Sequence, residues 1–119
     1  MSDEFLRVAT QEINEELNEI MGVLGSCSDD VDMAKNSIKI EQSMHKIKGL
    51  APMMGKESVG NLAKILDNIL KKIVSGKKTD GFFVCLKSSV EQMMVAMEKP
   101  HDLHPIQKEV SDFSLKIID

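Results

Sequence analysis

Aromatic residues are scarce in this chain, which has 4 Phe and neither Trp nor Tyr among 119 residues. The apolar share is carried by unbranched, helix-favouring residues, 9 Met among them, and not by the β-branched and aromatic residues that strands prefer. The composition therefore predicts an all-α fold. Basic charge is also short: the net charge of −4 excludes a concentrated cationic face for nucleic acid. With 2 cysteines, Cys27 and Cys85, there is no disulfide framework and no zinc spacing, so both are expected to be free thiols and no metal is assigned. No run approaches the ~20 apolar residues of a membrane span. The first residues, MSDEFLRVATQEINEE, lack the apolar segment of a secretory signal, so the expected compartment is cytoplasmic. Internal repeats and low-complexity segments are missing. So are a phosphate-cradling Gly-rich loop and a nucleotide-binding motif, and the chain has no means of phosphorylating itself from ATP.

What is present is helical spacing. Phe5, Ala9, Ile13, Leu17, Ile20 and Leu24 step by three or four and predict a helix over about 3–24, ending at Gly25. A second helix is expected over about 31–54, with Ile40, Met44, Ile47, Ala51 and Met54 on its apolar line and Gly55 as a left-handed stop. Pro52 removes a backbone donor near its end and frees the Lys48 carbonyl, so a kink or early loosening is expected there. Val59, Leu62, Ala63, Leu66, Leu70 and Ile73 predict a third helix over about 57–74. Thr79 or Asp80 can cap a fourth, about 80–98, whose stripe is Phe82 or Phe83, Leu86, Val90, Met93 and Met97. After Pro100, a short fifth helix carries Ile106, Val110, Phe113 and Ile117, with Pro105 placed for its start.

Helices with one apolar stripe each must pack on one another, and short connections make neighbours antiparallel. The expectation is an up-down-up-down four-helix bundle over residues 1–98, followed over 99–119 by a loop and a fifth helix that docks outside it or points towards further chain. One such bundle buries all its stripes, so a monomer is expected. The methionines, at helical spacing, read as core filling.

The chemistry lies in Met44-His45-Lys46-Ile47-Lys48-Gly49. Met44 and Ile47 belong to the buried stripe, which puts His45 at its flank or outward. Lys48 stands one turn along on the same face. Gly49 costs the helix about 1 kcal/mol relative to Ala, and what it offers is clearance for a bulky group at the imidazole. A neutral ring nitrogen is a nucleophile, and a neighbouring ammonium offsets charge on an incoming phosphoryl group. A carboxylate on the other ring N–H would fix the tautomer. Asp67 is the candidate: it flanks the third helix's stripe, and it follows Gly55 by twelve residues where His45 precedes it by ten. On spacing alone, a solvated Lys48, a packing notch at Gly49 and an ordinary surface charge at Asp67 stand as alternatives.

His45-x-x-Lys48-Gly49, with Ala51, Met54-Gly55, Leu62, Leu66, Asp67, Leu70 and a turn at Gly76, resembles the signature of histidine-phosphotransfer (HPt) domains. It is most similar to the N-terminal domain of CheA chemotaxis kinases, in layout over residues 1–98, and a fifth helix is a habit of that family. The resemblance implies that His45 is the phosphoacceptor, that Lys48 assists the phosphoryl group and that Asp67 orients the ring. It also implies two partners, a CheA-type kinase module that binds ATP and the receiver domain of a response regulator that supplies its own Mg²⁺; the chain itself needs no cofactor. With Met1, it points to the front end of a larger kinase, a stand-alone or hybrid-kinase phosphorelay domain being the alternative. The family usually has Glu at the Asp67 position, so the shorter Asp is expected to need a small helix shift or a water to reach His45. Lys64 stands where a relative has a polar residue or a histidine near the site, and Pro52 replaces a small residue.

Two other clusters draw the eye. His101, Asp102 and His104 lie between two prolines, and a flexible loop with such donors makes a poor metal cage, so they read as solvated. Lys71, Lys72, Lys77 and Lys78 are accounted for by the dipole at a helix C-terminus. The reading of another class is a helical adaptor whose His45 is never phosphorylated.

Overall fold

A computed structural model describes residues 2–117; the outermost positions of the expected 1–98 and 99–119 segments, Met1 and residues 118 and 119, lie outside them. Among the described residues the chain is all-helical, with no strand: α1 Asp3–Gly25, α2 Asp30–Lys35, α3 Ser37–Met53, α4 Glu57–Val74, α5 Phe82–Glu98 and α6 His104–Lys116. The Ser2 side chain caps α1 by accepting the Phe5 N–H at 3.0 Å. Pairing runs α3 on α4 and on α1, α5 on α1 and α4, and α6 against α4 and α5. No helix among the described residues is long and apolar enough to cross a membrane.

The expected stripes form one core. Ile13, Leu17, Ile20 and Leu24 of α1, Ile40, Met44 and Ile47 of α3, Leu62, Leu66 and Leu70 of α4, and Leu86, Val90 and Met93 of α5 are all buried. Each such side chain removed from water contributes about 1.5–3 kcal/mol. The fifth-helix pattern folds back: Ile106 and Val110 of α6 are buried, and Phe113 meets Phe82 edge-on with ring centroids 5.8 Å apart.

The expected helix over 31–54 is two helices that meet at Asn36. The Asn36 amide Nδ2 donates to the Asp32 carbonyl at 2.9 Å, taking the acceptor that its own backbone N–H would use in a continuous helix. That N–H bonds Met33 O instead, at 3.0 Å. The break was hidden because Met33, Ser37 and Ile40, all buried, keep helical spacing across it.

The cap of α5 also differs from expectation. Neither Thr79 nor Asp80 serves; Gly81 is the cap residue, at φ +86, and its helix end is closed from a distance. The Asp30 carboxylate of α2 accepts the N–H groups of Gly81 at 2.7 Å and Phe83 at 2.6 Å. The core side chain there is Phe82, with Phe83 only partly covered.

Gly55 stops α3 at φ +84, the Lys56 N–H reaching Ala51 O at 2.9 Å and the Gly55 N–H reaching Pro52 O at 3.1 Å. This is the left-handed closure that glycine allows, and it turns the chain directly into α4. Pro52 sits inside α3 and does not end it early, since the helix runs on to Met53. The α3–α4 hairpin fixed by this turn sets which residues of the two helices share a level.

Candidate functional site

His45 projects from the middle of α3 with its side chain 56% exposed. Asp67 faces it from α4 and is fully buried. The two meet directly: His45 Nδ1 lies 3.3 Å from Asp67 Oδ2, so neither a helix shift nor a water is needed for the shorter acid to reach the ring. The hairpin gives Asp67 its height, and its position beside the Leu66 and Leu70 stripe gives it its depth.

Three donors converge on one oxygen. The Lys48 ammonium donates to Asp67 Oδ2 at 2.9 Å, and the Lys71 ammonium, one turn along α4, pairs with the same atom at 3.0 Å. Burial works to raise the Asp67 pKa, but the side chains gathered on it, Glu41 first and then Lys48, Lys71 and His45, outweigh burial and hold the carboxyl at about 2. The hydrogen bond to Asp67, and then its charge, raise the Lys71 pKa in turn. Asp67 is therefore ionised at neutral pH and acts as an acceptor only, so Nδ1 is the nitrogen that donates to it, and in a neutral ring the lone pair then lies on Nε2.

A depression of about 470 Å³ opens beside the ring, lined by Glu41, Gln42, His45, Lys46 and Lys71. Its cations are Lys46 and Lys71; Lys48 lies outside the lining, drawn to Asp67. Lys71 is thus a site residue that sequence reasoning assigned to the helix dipole. The signal that finds it is its spacing of four from Asp67. Lys46 also bonds Glu16 of α1 at 3.3 Å.

Gly49 is exposed, and a β-carbon built on it meets nothing within 4 Å. A packing notch is thereby excluded, since no side chain of the fold uses the space. Lys48 is half-buried and paired, not solvated, and Asp67 is not a surface charge. Lys64 is exposed.

Glu41, His45 and Asp67 also bring donor atoms within 4.8 Å of one another, the spacing of a metal triad. Two ammoniums already occupy the Asp67 oxygen that faces the ring, and a cation would have to displace both. The arrangement suits an anion better. The His101–His104 stretch builds no such triad: His101 Nε2 turns to Gln92 Oε1 at 3.2 Å, and Asp102 accepts the His104 N–H at 3.0 Å at the start of α6. Cys27 and Cys85 are free, and burial pushes the Cys85 thiol up to about 11.

The chain matches no protein-family model, no curated protein and no solved structure.

Proposed function

We propose that the chain is a phosphocarrier in which His45 takes a phosphoryl group from an ATP-binding kinase module and yields it to an aspartate of a response regulator. The observation that carries this reading is the exposed imidazole held through Nδ1 by a buried carboxylate, beside a depression that Lys46 and Lys71 line. A histidine kept only for packing would be covered; this one is oriented and left open. The helices support it as an up-down-up-down four-helix bundle of α1, α2–α3, α4 and α5, with α6 outside.

In the proposed step the Nε2 lone pair forms a bond to the γ-phosphorus of ATP while the bond from that phosphorus to the bridging oxygen breaks. The electron pair departs on ADP. The ring keeps its Nδ1 proton, and the positive charge it acquires is stabilised by Asp67. Lys71 and Lys46 face the phosphoryl oxygens, Lys48 holds Asp67 in place, and the open face at Gly49 admits the partner's active site. Transfer onward reverses the roles: an aspartate carboxylate of the receiver attacks phosphorus, the N–P bond breaks, and the electron pair returns to Nε2. The regulator's own Mg²⁺ offsets charge on that side.

The resemblance to CheA-type phosphotransfer domains favours attachment to a chemotaxis kinase over a separate phosphorelay protein. The test is incubation with a CheA-type kinase core and labelled ATP, with wild type beside His45→Gln. Acid-labile, alkali-stable label on the wild type alone is expected. Failure of several active cores to label the folded protein would replace this reading with the adaptor.

A further inference from the structure

Asp67 Oδ1 is a buried carboxylate oxygen with no hydrogen-bond partner, while its sister Oδ2 accepts from three. An unmet acceptor on a fully buried charge costs about 1–3 kcal/mol or more, so the orphan requires an explanation. The neighbour that can supply one is Glu41, one turn before His45 on α3 and half-buried. Its carboxyl oxygen lies within 4.8 Å of the ligating atoms of both His45 and Asp67, and 3.9 Å from His45 Nδ1. Ionised, Glu41 has no proton to give and adds a second anion against Asp67. Protonated, it has the O–H that Oδ1 lacks.

We infer that Glu41 shares a proton with Asp67, donating it to Oδ1, and so acts as a positioning residue for His45. The inference deepens the phosphocarrier reading and rests on it for its consequence. The groups that face Glu41 are His45 and Lys46 on its own helix and Asp67 and Lys71 on α4. The Asp67 carboxylate beside it, then burial, raise the Glu41 pKa against the opposing pull of Lys71 and His45. Two consequences follow from the shared proton. The Asp67 carboxylate is gripped at both oxygens, which fixes the plane in which it receives the Nδ1 proton. With both acids ionised, their charges cancel those of Lys48 and Lys71; with one proton shared, a unit of positive charge remains where phosphoryl oxygens arrive. As pH rises through the Glu41 titration, that positive charge is lost and the anionic Glu41 faces the incoming group.

The experiment is a carbon-13 NMR titration of the side-chain carboxyls of the full chain, with phosphorylation rates measured over the same pH range. Glu41 is expected to titrate above the ordinary glutamic acid range, and to return towards it in Asp67→Asn. Glu41→Gln, which keeps a neutral donor for Oδ1, is expected to flatten the fall in rate as pH rises. Glu41→Ala, which has no donor, is expected to lower the rate several-fold across the range and to broaden the His45 ring resonances. A purely structural role would not separate Gln from Ala in this way. Glu41 titrating at or below its ordinary range in the wild type overturns the inference and leaves the carrier reading standing. A raised Glu41 titration in a protein that no kinase core labels overturns the carrier reading and leaves the shared proton.

Discussion

The ring of Pro52 in α3 lies against Gly60 in α4 so closely that a β-carbon on Gly60 would stand 2.6 Å from Pro52 Cγ and 2.8 Å from Cδ. Pro52 is thus accommodated by a missing side chain on the facing helix. The contact sits one turn from the Gly55 stop, where it draws α3 and α4 together below the His45–Asp67 pair. Gly60→Ala forces the rigid ring or a helix to move, and is expected to destabilise the fold by about 1–3 kcal/mol despite its better helix propensity. Pro52→Ala should remove most of that penalty. Urea melts of the two single variants and the double variant measure the coupling; additive effects would mean that the two residues do not press on each other.

Gly49 makes the opposite case. Its β-carbon position is open, so Gly49→Ala is expected to stabilise α3 by about 0.5–1 kcal/mol through backbone entropy alone. The same methyl group stands one turn from the imidazole, on the face a partner must approach, so phosphotransfer to His45 is expected to slow. A more stable protein that is a poorer carrier would separate the two roles. Equal rates in the variant and wild type would show that the clearance is not used.

How much of this was legible in the sequence depends on the range of the interaction. Apolar spacing located most core positions, because burial acts on single residues at a fixed period: Leu62, Leu66 and Leu70 in α4 need no knowledge of the partner helix. The level of Asp67 opposite His45 followed from counting across one tight glycine turn. What escaped were contacts that depend on side-chain reach: the Asn36 amide that splits α2 from α3, Lys71 on Asp67, and Glu41 beside both. Asp30 escaped for a different reason, lying 51 residues from the Gly81 N–H that it caps.

That long-range cap is open to measurement. Asp30 accepts two N–H groups of the first turn of α5, where Gly81 has no side chain to do so, and the charge favours the helix N-terminus. Asp30→Ala is expected to cost about 1–2 kcal/mol. Asp80→Ala, next to the cap residue but not serving as it, should cost a few tenths at most. Hydrogen exchange at Phe83 should rise in the first variant and not in the second. The reverse ranking would restore the local cap that the sequence implied.

Thiol reactivity provides a probe of opening. Cys85 is buried in α5 with its thiol pushed up by burial, whereas Cys27 is only partly covered in the turn after α1. Only the thiolate reacts with alkylating agents, so Cys27 is expected to label at neutral pH in the native protein, and Cys85 only when α5 leaves the core. Mass spectrometry after brief alkylation, with and without urea, reads both sites. Equal native labelling would show α5 to be loosely held.

The pH dependence of stability follows from two carboxyls with opposite signs. Asp67 sits at about 2 against an ordinary 3.8. Where folded and unfolded pKa values differ, stability changes with pH between them. Above about pH 5 both states are ionised and the full contribution is present, on the order of 2 kcal/mol. As pH falls from about 4 towards 2 the unfolded chain takes up a proton that the folded protein refuses, and the contribution is lost by the time Asp67 itself protonates. Glu41 runs the other way. Its pKa is raised by the Asp67 carboxylate beside it and by burial, so what it contributes is present below the ordinary glutamic acid range and lost as pH rises through its folded value. Urea midpoints taken from pH 2 upwards should therefore climb through the Asp67 window and then relax as Glu41 ionises. Asp67→Asn should flatten the acid limb, and Glu41→Gln should remove the later decline while leaving the acid limb in place. An acid limb that persists unchanged in Asp67→Asn would place the titration on other carboxyls and leave Asp67 without its ion pairs in solution.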